Sequence, residues 1–253
     1  MTDRPDERID SERRRLLTAA GRGGVALAAG VMLMLVPAPV SVVAAAATAG
    51  ASNKVRWGLL IDTGKCADGC DVCVSACRTE NGWGGGGNLE TDPQWIRTVA
   101  VKNPNGGAQV SVPVMCQHCA EPPCVDVCPT GASFKRADGI VLVDKHTCIG
   151  CRYCMMACPY KARSFVHEAV TDQKPYAPRG QGTVEGCTFC VHRLDAGGTP
   201  ACVEACGASA GGAMMFGDLN DPDSAIAREV TRLVTTRIRA DLGLDPGVHY
   251  RGI

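Results

Sequence analysis

Sixteen cysteines dominate the chemistry open to this chain, and they fall into four groups of four with none left over. Thiolates are soft ligands for iron and zinc, and they can also pair as disulfides. The spacing within each group must therefore decide between metal binding and cross-linking. The groups in chain order are Cys66, Cys70, Cys73 and Cys77; Cys116, Cys119, Cys124 and Cys128; Cys148, Cys151, Cys154 and Cys158; and Cys187, Cys190, Cys202 and Cys206.

The third group has the most informative spacing. Its cysteines follow the pattern C-x2-C-x2-C-x3-C, and Pro159 comes directly after the last one. In a bacterial ferredoxin run of this kind, three thiolates bind one [4Fe–4S] cube and the fourth binds the other cluster of a pair. Two-residue gaps let the loop curl around a cube, whereas the three-residue gap places the last cysteine about one helical turn further on. The pattern favours iron–sulfur clusters.

Zinc and disulfides are the alternatives. Structural zinc sites use two widely separated C-x2-C pairs around one ion, and an exported cysteine-rich chain is ordinarily a disulfide framework. The second group resembles the third, with a longer gap between Cys119 and Cys124 and with Pro129 after it. The first group has an extra residue between Cys66 and Cys70, and the fourth is split by an insertion. For these two outer groups the spacing alone is less informative.

Internal repetition supports one interpretation for all four groups. Residues 59–66 align with residues 141–148: each segment is an apolar run, an aspartate, and a cysteine four residues later. The repeated unit is a strand, a cysteine loop, a short helix and a second strand. Because such a unit cannot bury its own cluster, two units must face each other. We predict an α+β fold of tandem, duplicated bacterial-ferredoxin-like (βαβ-type) cluster-binding units, with long loops and a C-terminal helix.

If each unit donates its last cysteine to the partner's cube, the sequence predicts four [4Fe–4S] clusters with defined ligands. We name the four ligand sets after the clusters they would hold. Set 1 is Cys66, Cys70, Cys73 and Cys206; set 2 is Cys116, Cys119, Cys124 and Cys158; set 3 is Cys148, Cys151, Cys154 and Cys128; and set 4 is Cys187, Cys190, Cys202 and Cys77. Residues 50–115 and 180–220 would form an outer two-cluster domain, residues 116–179 an inserted inner one, and residues 221–253 a C-terminal helix and tail.

The first 49 residues have the features of an export signal. Arg13, Arg14 and Arg15 precede two leucines, an apolar stretch covers residues 25–36, and a small-residue tract ends in the A-x-A sequence at 47–49. This order is typical of a twin-arginine signal peptide. A retained membrane anchor is the alternative, but the apolar run is shorter than the roughly 20 residues that a span needs. The sequence predicts a periplasmic protein that binds its cofactors before export.

The other segments yield structural expectations. GWGGGG at residues 82–87 fits G-x-G-x-x-G, but no strand precedes it and no lysine follows, so we expect a mobile glycine loop. Residues 95–101 and 108–114 read as strands, and residues 172–186 as a surface excursion. Ser224 is expected to cap a helix that reaches about residue 240.

No catalytic constellation is evident, and Lys plus Arg equals Asp plus Glu at 26 each, which gives no sign of a nucleic-acid surface. His118 and His146 lie in or beside cysteine loops, where we expect them to donate hydrogen bonds near the clusters. Arg152, Lys161 and Arg163 are expected to offset the negative charge of clusters and thiolates.

The run MCQHCAEPPCVDVCPTGASFKRADGIVLVDKHTCIGCRYCMMACPYKARSF, with PACVEAC and FGDLNDPDS further on, resembles the four-cluster iron–sulfur subunits of membrane-bound respiratory oxidoreductases. That family includes the electron-transfer subunits of polysulfide, tetrathionate and dimethyl sulfoxide reductases and of formate-dependent nitrite reduction. ENGWGG, DPQWIR and the C-terminal HYRGI resemble more narrowly the periplasmic iron–sulfur subunits (DsrO) of the DsrMKJOP complexes of dissimilatory sulfur metabolism.

The resemblance implies an electron-transfer subunit with no substrate site of its own. It would pass electrons between an integral-membrane quinone-interacting subunit and other redox subunits, including a periplasmic multihaem cytochrome c, and would be held at the membrane through these partners. Two alternatives stay open. The chain could serve a molybdopterin oxidoreductase or formate-dependent nitrite reduction, or it could be a secreted protein held by disulfides or zinc.

Overall fold

The computed structural model describes residues 51–84, 87–88, 90–102, 109–171 and 173–253, all of which belong to one unit, residues 45–253. The predicted signal peptide therefore lies outside the described residues. Within those ranges, no helix combines the length and the apolar composition that crossing a bilayer requires.

The described residues form nine short strands, six short α-helices and two single turns of 3-10 helix. The strands are β1 (Trp57–Asp62), β2 (Ile96–Val101), β3 (Val110–Met115), β4 (Ser133–Lys135), β5 (Val141–Val143), β6 (Ser164–Phe165), β7 (Val184–Glu185), β8 (Met214–Asp218) and β9 (Val248–Arg251). The α-helices are α1 (Val72–Asn81), α2 (Pro123–Asp126), α3 (Tyr153–Ala157), α4 (Val191–Leu194), α5 (Ala201–Ser209) and α6 (Ala225–Arg232), and the 3-10 turns are Thr63–Lys65 and Ala240–Leu242.

The main sheet has three strands in the order β8-β1-β9. Strand β1 pairs antiparallel with β8, with Leu59 opposite Phe216, and parallel with β9, with Ile61 opposite Tyr250. Four consecutive residues of β1 are buried, which is the pattern of a strand covered on both faces. Helix α6 packs against this sheet through Ile226, which is fully buried. The C-terminal tail therefore completes the sheet, a role that the sequence did not reveal.

The remaining strands form three antiparallel pairs, β2 with β3, β4 with β5, and β6 with β7. The first pair matches the two strands predicted around the turn after residue 101, within one or two residues at each end. The other pairs flank the second and third cysteine groups, as the strand–loop–helix–strand unit requires. The α+β class predicted from the sequence is confirmed. The tandem duplication of the units stays a prediction.

The buried apolar residues separate into two cores. One core includes Leu59, Trp95 and Tyr250, together with cysteines of the first and fourth groups. The other includes Val141 and Tyr160, together with cysteines of the second and third groups. This separation is what an outer domain with an inserted inner domain would produce. The cysteines contribute a large part of both cores, which suits a chain with only 4% aromatic residues.

The C-terminal helix is shorter than predicted. Ser224 caps it as expected, since its Oγ accepts a hydrogen bond from the Ala227 amide at 3.1 Å. The helix ends at Arg232, not near residue 240, because Thr236 pairs with Tyr250 in an isolated β-bridge and the chain must extend to reach it. Val234, which falls within the predicted helix but beyond the observed one, is 93% exposed.

The expected surface excursion at residues 172–186 is in part interior. Strand β7 pairs with β6, and Glu185 is fully buried in an ion pair with Arg179. The guanidinium meets both carboxylate oxygens, with Nε at 3.0 Å from Oε2 and Nη2 at 2.9 Å from Oε1. Arg179 also donates to the carbonyl of Gly82, which ties this segment to the end of helix α1. A buried charge pair with this geometry fixes the segment in place.

Candidate iron–sulfur centres

The cysteines of set 1 lie together at one end of helix α1. All four line a small apolar cavity, which Thr98 also borders. Helix α1 carries Cys73, helix α5 carries Cys206, and the loop after the first 3-10 turn carries the other two. Burial raises the pKa of the Cys73 thiol to about 12, and the neighbouring thiols of Cys206, Cys66 and Cys70 add to that rise. Groups far apart in sequence thus share one pocket.

The cysteines of set 4 line a second apolar cavity. Helix α1 reaches both cavities because Cys73 and Cys77 lie one turn apart along the same face, and each lines one of them. Burial, followed by the neighbouring Cys77 and Cys190, raises the pKa of Cys202 well above its ordinary value. The structure therefore brings the last cysteine of the first group to the cysteines of the fourth group.

The last cysteine of each inner group has neighbours in the other inner group. Burial raises the pKa of Cys116 to about 12, with Cys124 and Cys158 adding to the effect and the Arg163 charge opposing it. Burial also raises the pKa of Cys154, against the Arg163 charge and with Cys124, Cys148 and Cys128 adding to the rise. Cys158 is therefore a neighbour of Cys116, and Cys128 and Cys124 are both neighbours of Cys154. Cys151, the remaining member of set 3, is exposed.

The donor chemistry of these pockets fits [4Fe–4S] clusters. All sixteen cysteines are free thiols, and each predicted set supplies the four sulfurs that a cubane takes. Backbone amides donate to several of them, among them Ser133 to Cys128 Sγ at 3.3 Å, Val184 to Cys148 Sγ at 3.4 Å and Phe189 to Cys187 Sγ at 3.4 Å. Such N–H···S bonds stabilise thiolates. Within the described ranges, no three His, Cys, Asp or Glu side chains are arranged to hold a single metal ion.

One of the three predicted cations contacts a cysteine sulfur. Arg163 is 7% exposed, and its Nη2 lies 3.2 Å from Cys124 Sγ. Arg152 instead stacks its guanidinium over the ring of Phe165, 4.5 Å from the centroid. Lys161 is exposed and occupies a left-handed turn after the third group. Charge compensation at the cysteines therefore comes from Arg163, a residue buried between the two inner sets.

The donor role predicted for His118 and His146 stays a prediction, because the buried Nε2 of His118 has no hydrogen-bond partner in the described part of the chain. Its Nδ1 accepts a hydrogen bond from the Val141 amide at 3.0 Å, and its ring stacks on Phe189 with the centroids 3.7 Å apart. Burial lowers the pKa of His118 to about 3, so the imidazole is neutral. His146 is exposed, and only its backbone amide has a resolved bond, to Asp144 at 2.8 Å. His118 thus joins strand β5 to the loop of the fourth cysteine group, with its Nε2 left as a buried donor.

Two residues that contact cysteines were missed from the sequence. The indole Nε1 of Trp83 donates to Cys77 Sγ at 3.2 Å, and the amide of Asn81 lies 3.6 Å from the same sulfur and 3.8 Å from Cys190 Sγ. Trp83 is 2% exposed, so the interpretation of its segment as a mobile glycine loop was wrong at this position. The sequence did indicate one of these contacts: Asn81 lies four residues after Cys77 and therefore on the same face of the helix.

Comparison with known proteins agrees with this geometry. Residues 108–219 match the family described as "4Fe-4S dicluster domain". The chain is 41% identical to the Hdr-like menaquinol oxidoreductase iron-sulfur subunit 1 of Archaeoglobus fulgidus, over 78% of this chain and 84% of the relative. The chain belongs to the family of iron–sulfur subunits of oxidoreductase complexes.

Other members of this family are similar over comparable lengths. One subunit of the tetrathionate reductase of Salmonella typhimurium is 41% identical over 80% of this chain and 74% of its own length. Protein NrfC of Escherichia coli is 38% identical over 78% of this chain and 81% of its own length. Membership in this family identifies the chain as a 4Fe-4S electron-transfer protein, which the thiol-lined cavities and their N–H donors suit.

Proposed function

We propose that this protein relays single electrons through four [4Fe–4S] clusters on the periplasmic side of a membrane complex. When bound, a [4Fe–4S] cluster supplies one-electron redox chemistry. The protein's own part is to hold each group through four thiolates, exclude water and set the surrounding charge. The observation that carries the proposal is the pair of cavities that each bring together the four cysteines of one outer set from groups distant in sequence.

We assign the ligands accordingly. Cluster 1 takes set 1, cluster 2 takes set 2, cluster 3 takes set 3 and cluster 4 takes set 4. The shared cavities and the mutual effects of neighbouring thiols on their pKa values support this sorting. The outer and inner two-cluster domains follow from the same pairs, and the two separate apolar cores support them.

The four sets adjoin one another in a single order. Cys202 of set 4 has Cys73 of set 1 among the neighbours that raise the pKa of its thiol, after burial and its own set. Cys116 of set 2 likewise raises the pKa of Cys187 of set 4. Cys124 of set 2 raises the pKa of Cys154 of set 3. These links support the order 1–4–2–3, with sets 1 and 3 at the two ends.

The accessibility of the cysteines suits electron transfer at the set 3 end. Every cysteine of set 2 is buried, two cysteines each of sets 1 and 4 are partly exposed, and Cys151 of set 3 is exposed. The buried thiolates of set 2 keep water away from a reduced centre, and the exposed Cys151 brings the proposed cluster 3 near a partner surface. This difference supports a relay that opens at set 3.

We assign the set 3 end to the membrane partner. Three large apolar side chains near Cys151 are open to solvent: Ile149 at 67%, Tyr153 at 57% and Met156 at 73%. Exposed apolar clusters of this kind mark interaction sites. The occupant we propose is an integral-membrane, quinone-interacting subunit, which would cover these side chains and Cys151. The name of the Archaeoglobus fulgidus relative, a menaquinol oxidoreductase subunit, supports a quinone partner.

The complex we favour is the sulfite-reduction-associated complex of dissimilatory sulfur metabolism, with a periplasmic multihaem cytochrome c as a further partner. ENGWGG, DPQWIR and HYRGI and the twin-arginine segment support this assignment. A molybdopterin oxidoreductase is the second candidate, because the chain is as similar to a tetrathionate reductase subunit as to the menaquinol oxidoreductase subunit, at 41% identity in both cases. The two differ in composition: the purified complex should contain haem c in the first case and molybdenum in the second.

The function is tested in membranes that contain the native complex. Anaerobic addition of a menaquinol analogue should reduce [4Fe–4S] centres seen by electron paramagnetic resonance, or re-oxidise them when the quinone form is added. Deleting this subunit alone should abolish electron exchange between the quinone pool and the other redox centres. Exchange that continues at an unchanged rate without the subunit would overturn the proposal.

A further inference from the structure

Residues 81–83 place two side-chain donors against the thiols of set 4. Trp83 Nε1 lies 3.2 Å from Cys77 Sγ, and Asn81 Nδ2 lies 3.6 Å from Cys77 Sγ and 3.8 Å from Cys190 Sγ. Both residues are almost completely buried: Trp83 is 2% exposed and Asn81 is 1% exposed. We propose that Asn81 and Trp83 are positioning residues that raise the reduction potential of cluster 4, an inference that rests on the proposed assignment of set 4.

The electrostatic reason is the charge gained on reduction. Reduction adds one electron to the group that the four thiolates hold, so its net charge becomes more negative by one, and no proton or leaving group moves. Hydrogen bonds to a charged acceptor are stronger than those to a neutral one, and they strengthen in a low-dielectric interior. Donors aimed at the sulfurs therefore stabilise the reduced form more than the oxidised form. Hydrogen bonds to the sulfurs are among the factors that set cluster potentials.

The surroundings of Trp83 fix its orientation. Gly82 ends helix α1 with φ of 66°, a left-handed conformation that glycine adopts without strain and that turns the chain back toward Cys77. Arg179, buried in its ion pair with Glu185, donates to the Gly82 carbonyl. The Arg78 guanidinium lies over the Trp83 ring, 5.3 Å from its centroid. The indole is therefore held by Arg78 over its face and by Cys77 Sγ at its N–H, next to a backbone carbonyl that Arg179 fixes.

A second indole borders the same cavity and strengthens the inference. Trp95 is 3% exposed and lines the cavity of set 4, and its buried N–H has no hydrogen-bond partner in the part of the chain that the structure describes. An indole N–H is a donor only, so a buried one left without an acceptor is costly. Sulfur is the acceptor that the proposed cluster 4 would bring to this cavity.

The experiment is a redox titration of the full-length, cluster-loaded protein with dithionite, followed by electron paramagnetic resonance. Trp83→Phe keeps the ring and removes the N–H, and Asn81→Leu keeps the shape and removes the amide. At a fixed ambient potential, each change should lower the reduced-to-oxidised ratio of one cluster about tenfold, which is about 59 mV for one electron. That cluster should be the one whose signal Cys190→Ser alters. Trp57→Phe, which loses an indole stacked on Phe216 with the centroids 5.3 Å apart, is the matched control and should shift none.

The outcomes separate this inference from the function on which it rests. Unchanged potentials in both variants would overturn the inference, and so would an equal shift of every cluster, because neither fits a local donor. Loss of iron in the unaltered protein would instead refute the four-cluster assignment. A shift confined to cluster 4 in both variants, with iron content preserved, supports the inference.

Discussion

The guanidinium of Arg163 lies between the two inner sets of cysteines, 3.2 Å from Cys124 Sγ and 3.1 Å from the hydroxyl of Ser133. The pKa of Arg163 lies above its ordinary value. Burial lowers this pKa, but the neighbouring thiols of Cys124, Cys116 and Cys154 raise it by more. The side chain therefore stays charged where an unpaired cation would be costly. Its partners come from sets 2 and 3, so one arginine compensates two neighbouring proposed clusters.

Replacing Arg163 should make these two clusters harder to reduce. Arg163→Gln keeps a hydrogen-bond donor but removes the positive charge, so the reduced, more negative state loses stabilisation. We expect the midpoint potentials of clusters 2 and 3 to fall by roughly 59 mV, a tenfold change in their reduced-to-oxidised ratio. Redox titration with electron paramagnetic resonance measures this. In Arg163→Lys, the midpoint potentials of clusters 2 and 3 should lie between those of Arg163→Gln and those of the unaltered protein. Unmoved inner potentials in Arg163→Gln would show that the charge does not act on these sites.

The assignment of ligands predicts that two single substitutions affect different clusters. Cys206→Ser should perturb the cluster held by the first group, because Cys206 shares a cavity with Cys66, Cys70 and Cys73. Cys158→Ser should perturb the cluster held by the second group. In each variant, iron analysis and electron paramagnetic resonance should show one altered centre. A change in an inner centre in the Cys206 variant would refute the assignment.

The buried pair of Arg179 and Glu185 should contribute strongly to stability. Glu185→Ala leaves a buried guanidinium without its partner, which costs about 3–5 kcal/mol, or roughly 10 °C in Tm for a chain of this size. Thermal unfolding of the anaerobic, cluster-loaded protein measures the change. The control is Glu229→Ala on helix α6, which removes an exposed pair with Arg232 and should alter Tm little. Similar shifts in the two variants would contradict the importance of the buried pair.

His249 should make the protein less stable in acid. Burial, followed by the Arg237 charge, lowers the pKa of His249 to about 4, whereas the unfolded chain has the ordinary value of 6.5. The unfolded state therefore binds a proton that the folded state resists, and stability falls as the pH drops from about 6.5 to 4. In His249→Asn, the loss of Tm between neutral pH and about pH 5 should be smaller than in the unaltered protein. Equal losses would contradict this, since His118 titrates alike in both.

The regular features of the fold could be predicted because they are local. Cysteine spacing, the proline after each inner group and the aspartate four residues before a cysteine act over a few residues, so they indicate loops, short helices and strands directly. Ser224 is a similar case, because an N-cap depends only on its own helix. The pairing of β2 with β3 follows from two apolar runs and one turn.

The features that were missed depend on contacts between distant segments. Strand β9 joins the main sheet by pairing with β1, which lies nearly 190 positions earlier in the chain. The four residues of β9 contain no sequence pattern that indicates this partner. Glu185 and Arg179 looked like part of a charged surface because their burial depends on contacts with distant segments, among them the Gly82 carbonyl. Trp83 looked mobile among glycines, and only the fold shows that its indole points at Cys77.

Iron and acid-labile sulfide analysis of the protein, purified without exposure to oxygen from cells with intact iron delivery, tests the central claim most directly. Four cubanes predict about sixteen iron atoms and about sixteen sulfide ions per chain, four of each for every cluster. A colourless, iron-free protein with its cysteines paired as disulfides would contradict the account, and so would a preparation that never exceeds about eight iron atoms.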